Sequence, residues 1–183
     1  MTIVALAGRR IDAPESTTTR FPASKISFVS SRIRSQLERI RATGLVCSAA
    51  CGADLLALSE AGQLGIKRRI VLPFDRTRFR TTSVTDRPGD PTTDWGTIFD
   101  QVVKELAPSG DVVTLNQDGS EDAYAAANVK ILSEAQDLAQ QTGVDLVAVR
   151  VWEGDSRGEG DLTEAFGDEA RERGLPVLDV LTT

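Results

Sequence analysis

The sequence predicts a doubly wound α/β fold: a mostly parallel sheet of about six strands, with helices on both faces. Three observations lead there. Short β-rich apolar runs alternate with helix-period stretches along the whole chain, as in successive βαβ units. The runs are continuously apolar, as in strands covered on both faces. Glycines and arginines recur just past the ends of the runs, at the edge where open α/β sheets take their ligands.

The first run is Ile3–Ala7. A helix follows in which Ile26, Val29, Ile33, Leu37 and Ile40 recur every three or four residues, with Ser24 as the expected N-cap and Gly44 as the stop. Leu45–Ser48 is the second strand, and Ala53–Leu64 a second helix ended by Gly65. Arg69–Phe74 is the third strand. A helix carrying Ile98, Val102, Val103 and Leu106 then runs until Pro108 stops it. Val112–Leu115 comes next, followed by a helix carrying Tyr124, Ile131, Leu132, Ala135 and Leu138. Val144–Trp152 leads to a last helix over Asp161–Arg173, which Gly174 ends before the final strand, Pro176–Leu181. This order describes a Rossmann-like sandwich. Two stretches lack any period, Arg10–Ala23 and Thr81–Asp94; both fall near the ligand edge, as lids or surface loops.

At 183 residues the chain is expected to form one domain, residues 1–183, with no linker or internal repeat. It has no histidine, which excludes a Ser-His-Asp triad, a Cys-His dyad and a His-ligated metal or haem. The net charge of −6 argues against a direct nucleic-acid partner, since backbone binding needs a basic surface. No apolar run approaches the ~18–20 residues of a membrane span. MTIVALAGRR places its basic pair after the apolar run, the reverse of a signal peptide. Cys47 and Cys51, the only two cysteines, read as small buried hydrophobes of a cytoplasmic protein. No cofactor and no metal site is expected.

The strand ends supply the candidate site. Gly8-Arg9-Arg10 follows the first strand: the glycine admits close approach and the arginines offer planar donors for phosphate or carboxylate. Ser48 to Asp54 follows the second, with Gly52 and small neighbours at a helix start and Asp54 as hydroxyl acceptor for a ribose or partner of the helix dipole. Past the third strand, Phe79 is either a stacking surface for a base or a core residue. Asn128, poorly favoured in mid-helix, presents both donor and acceptor to a ligand, or makes a buried helix–loop bond. Trp152 opens the most specific stretch, a glycine-rich loop with Arg157, Gly158, Gly160 and Asp161 leading to Glu164. Its backbone N–H groups suit a phosphate, while its acidic residues equally suit a helix cap.

This loop resembles the LOG/SLOG superfamily, which takes in cytokinin-activating phosphoribohydrolases, DNA-processing protein A and stand-alone nucleotide-sensor domains. Gly158, Gly160 and Glu164 match the Pro-Gly-Gly-x-Gly-Thr-x-x-Glu hallmark; Arg157 and Asp161 stand where the hallmark has glycine and threonine. Gly8-Arg9-Arg10-Ile11-Asp12, the Ser48–Asp54 stretch, Leu72-Pro73-Phe74-Asp75, Tyr124 with Asn128, and Val151-Trp152-Glu153-Gly154 are similar to SLOG-like proteins in the same order. The resemblance implies a nucleotide or nucleotide-derived ligand, ADP-ribose-like or a cyclic nucleotide, and a homodimer. It also implies an alternative, an N-glycosidase on a nucleoside monophosphate with Glu164 as the catalytic carboxylate. No arginine lies on the preceding helix between Tyr124 and Gly143, so binding is placed ahead of catalysis. A ligand-free interaction domain, using the acidic loop 153–164, is the third reading.

Overall fold

The computed structural model describes residues 1–183. Six strands, β1 (Thr2–Gly8), β2 (Ala42–Cys47), β3 (Lys67–Leu72), β4 (Val112–Thr114), β5 (Asp145–Trp152) and β6 (Val177–Leu181), form one sheet in the order β4-β3-β2-β1-β5-β6. Every pairing is parallel. The predicted Rossmann-like architecture is therefore the observed one, and its strands are all, not mostly, parallel.

The two faces follow from the pleat. Val4 and Leu6 of β1 point into one core with Leu45, Cys47, Ile70 and Leu72, covered by α1 (Ile26–Arg39), α2 (Ala53–Gln63) and α4 (Trp95–Leu106). Ile3, Ala5 and Ala7 point to the other, with Val46, Val71 and Ala148, covered by α5 (Glu121–Thr142) and α6 (Leu162–Glu172). A short turn of helix, α3 (Arg76–Phe79), and a π-helical turn over Arg80–Val84 follow β3. The buried face of α5 is mostly alanine (Ala123, Ala127, Ala135, Ala139), which lets the helix lie close to the sheet.

Two expected boundaries move. Ser24 does not cap α1; it lies in a 3-10 turn, Ala23–Lys25, and the cap position Lys25 makes no side-chain bond. Gly44 does not stop that helix. Arg41 turns the chain with a φ of 52°, and Gly44 lies inside β2, where a side chain would meet Ile3 Cδ1 at 2.7 Å and Leu138 Cδ2 at 3.3 Å. The strand order reverses between β1 and β5, which opens a crevice at their carboxyl ends.

Candidate functional site

A cavity of about 550 Å³ lies at the carboxyl end of β1, beside that crevice. The ends of β1 and β2 form its floor, α5 and the start of α6 one wall, and the two non-periodic loops the rest. Of the residues singled out in the sequence, Gly8, Arg9, Arg10, Ser48, Asp54, Phe79, Asn128 and Arg157 line it; Gly52, Gly158, Gly160, Asp161 and Glu164 do not. The sequence reading missed Arg20, Arg87 and Glu121 as wall residues, and marked Tyr124 only through the family resemblance. The signal available for the two arginines was the lack of period in 10–23 and 81–94, which marked the loops without marking the side chains.

Arg9 is not free to hold a ligand. It is 4% exposed. Its Nε donates to Glu153 at 2.6 Å, Nη1 and Nη2 each donate to an Asp161 oxygen at 2.7 Å, and Nη2 also donates to the Asp155 carbonyl at 3.0 Å. Arg20 pairs with the other oxygen of Glu153. The network clamps the β1 loop to the β5 loop.

Asp161 in turn fills the helix end expected to bind phosphate. It caps α6, accepting the N–H groups of Thr163 at 2.9 Å, Glu164 at 3.2 Å and Arg157 at 2.8 Å. Burial pushes its carboxyl pKa up, but the bonds from Arg9 and from these backbone groups outweigh burial and hold it well below the usual carboxylate range. A second anion would meet an occupied carboxylate, so the phosphate loop expected at Gly158–Gly160 is closed by the chain itself. Those glycines have φ of 88° and 80° and open space around them: they serve the turn. Glu164 accepts from the Ser156 hydroxyl outside the cavity, away from any glycosidic bond bound within it.

Gly8 and Gly52 are explained by packing. A side chain at Gly8 would stand 2.5 Å from Ala53 Cβ and 2.7 Å from the Val151 carbonyl; one at Gly52 would stand 2.7 Å from the Arg9 carbonyl. Phe79 belongs to the core, at 0% exposure, with its ring 5.9 Å from Phe74 and 6.1 Å from Phe99. Its ring leaves no exposed face for a base to stack on.

The remaining residues form the usable surface. Asp54, 7% exposed in the first turn of α2, accepts the Ala50 N–H at 3.2 Å and has no ion-pair partner within reach. Burial pushes its pKa up to about 7, against the pull of the Ala50 N–H and of Arg10. Ser48 lines the cavity beside it. Asn128 Nδ2 donates to the Leu162 carbonyl at 3.0 Å, tying α5 to α6, and Tyr124 shares a hydrogen bond with Ser83 at 3.0 Å. Arg10 contacts Asp86 and, at 3.7 Å, Cys51 Sγ. No three acidic or cysteine side chains converge to hold a metal ion, and no helix is long and apolar enough to cross a membrane.

No family model and no curated protein matches the sequence. Solved structures of DNA processing protein A are similar. The one from Streptococcus pneumoniae is 13% identical with a TM-score of 0.38, over 99% of this chain and 59% of that one. The one from Helicobacter pylori, described for its single-stranded DNA binding mode, is 16% identical with a TM-score of 0.39, over 97% and 74%. This chain thus spans about three-fifths of the Streptococcus protein. The likeness is one of fold, in keeping with the Rossmann-like α/β arrangement. One expectation is corrected: the exclusion of a direct nucleic-acid partner does not stand beside a neighbour described for its single-stranded DNA binding mode.

Proposed function

We propose that the chain is a binding module for a nucleotide-derived ligand seated in the cavity at the carboxyl ends of β1 and β2. The observation that carries this reading is the cavity itself. Its volume of about 550 Å³ lies within the range of small-molecule sites, and it adjoins the switch point at the end of β1, where open α/β sheets bind nucleotides. Asp54, Ser48, Asn128 and Tyr124 supply donors and acceptors for base and ribose; Arg10 and Arg87 supply positive charge for an anionic end. Arg9, Gly158 and Gly160, first expected on the phosphate side, have no part in this arrangement.

Calorimetric titration with AMP, a cyclic nucleotide and ADP-ribose tests the reading. At least one is expected to bind with a Kd of order micromolar, weakened about tenfold by Asn128→Leu. Absence of binding by all three at millimolar ligand overturns it. One observation favours a hydrolytic second reading: Asp54 is a buried carboxyl facing the cavity, able to carry a proton near neutral pH. Release of free base from a nucleoside monophosphate, lost in Asp54→Asn and kept in Glu164→Gln, is the result that reading requires.

A further inference from the structure

Arg10 and Arg87 come from different loops and both line the cavity. They converge on a single carboxylate, Asp86. Arg10 Nη2 pairs with its Oδ1, and Arg87 Nε stands 3.6 Å from its Oδ2, an ion-pair distance too long for a hydrogen bond. Two guanidiniums thus share one negative charge. Both Nε groups are buried and have no hydrogen-bond partner, in contrast to Arg9, whose three nitrogens are all engaged. The only other acceptor on Arg10 is the Cys51 sulfur at 3.7 Å, a weak one. The Asp86 side chain is 32% exposed, next to Arg87 in a segment outside any helix or strand, so it can turn to water at little cost.

From this we infer that Arg10 and Arg87 form a clamp for one phosphate group, which Asp86 occupies until a ligand displaces it. The inference rests on the proposed nucleotide site and names its anionic end. A carboxylate has two oxygens, and those of Asp86 leave both Nε groups unfilled. A phosphate brings a third oxygen and more charge, so it can meet both forks at once. The charge balance favours a ligand with a single phosphate. Arg9 and Arg20 are neutralised by Asp161 and Glu153, while Asp12, Glu15 and Glu121 add negative charge to the walls. The one further cation on the walls, Arg157, stands 3.9 Å from Asp161, so a triphosphate gains little more positive charge there.

The test titrates wild type, Asp86→Asn and Arg87→Gln with AMP, adenosine and inorganic phosphate, with thermal unfolding to confirm that both variants are folded. Asp86→Asn is expected to tighten AMP and phosphate by about threefold to tenfold, and Arg87→Gln to weaken both by roughly tenfold or more. Adenosine is expected to be unaffected by either. If AMP binds wild type and neither variant moves its affinity, or if both move adenosine equally, the clamp is wrong and the nucleotide site stands. If inorganic phosphate follows the two variants while AMP binds no better than phosphate, the clamp stands and the nucleotide reading falls. Absence of binding by all three probes to wild type overturns both.

Discussion

Asp54→Asn isolates the one buried carboxyl of the cavity that lacks a cation partner. In the folded protein this group holds its proton up to a pKa of about 7; unfolded, it has the ordinary value near 3.8. A raised folded pKa on an acid means that the folded state binds more protons than the unfolded state between those values. The stability it contributes is fully present below pH 3.8 and is lost as pH rises, until the folded group also ionises at about 7. From pH 5 to pH 8 the loss runs over about two pH units, at about 1.36 kcal/mol each, or about 3 kcal/mol in all. Asparagine keeps the shape and can still accept the Ala50 N–H, but has no charge to bury. Other titrating groups are common to both proteins and cancel in the comparison. The variant's melting temperature, relative to wild type, should therefore climb by about 6–12 °C between pH 5 and pH 8 for a chain of this length. Scanning calorimetry or circular dichroism at four pH values measures it. A difference that stays constant across that range refutes the reasoning, because it means that Asp54 is already ionised in the folded state at pH 5.

Other expectations follow from the same geometry. Arg9→Met leaves the buried Asp161 carboxylate without its guanidinium, while Arg20 still holds Glu153, and should cost about 3–5 kcal/mol in urea unfolding, however well methionine packs against Trp152. The stability that Asp161 contributes is present above the unfolded carboxyl range and disappears as pH falls through its lowered folded value. Asp161→Asn should therefore flatten the acid limb of the stability curve below about pH 4, as well as lowering stability at neutral pH. Gly8→Ala forces a Cβ to 2.5 Å from Ala53 and should destabilise by about 1–3 kcal/mol, whereas Gly158→Ala, in open space outside the cavity, should leave ligand affinity within about twofold.

What could be read in the sequence was what local pattern determines. Strands buried on both faces must be apolar throughout, so all six runs stood out against the helix periods, down to the three residues of β4. Glycine was harder, because one residue type answers several physical demands. Gly44 looked like a helix stop, yet it lies in a strand and is glycine because Ile3 of β1 and Leu138 of α5, some 90 residues later, pack where its side chain would be. Gly8 and Gly158 looked like two walls of one phosphate site, yet the first is small for Ala53 and the second is a turn in water.

Arg9 shows the same limit for charge. Its position after the first strand marked it as a donor for a ligand anion, but its donors are filled by the carboxylates of Glu153 and Asp161, which no spacing rule connects to it. An arginine at a strand end is available to a ligand only if the fold leaves its donors unfilled. Arg9 and Arg10 are adjacent and chemically identical, and the fold saturates one while leaving the Nε of the other without a partner. The difference lies in what faces them. Arg9 meets two carboxylates brought by β5 and α6, at the centre of the sheet; Arg10 meets half of one, brought by a loop at the rim. The binding function proposed for this chain depends on that inequality, and so the rim loops with no periodic pattern, rather than the glycine-rich turn that matched a known motif, hold the residues that decide it.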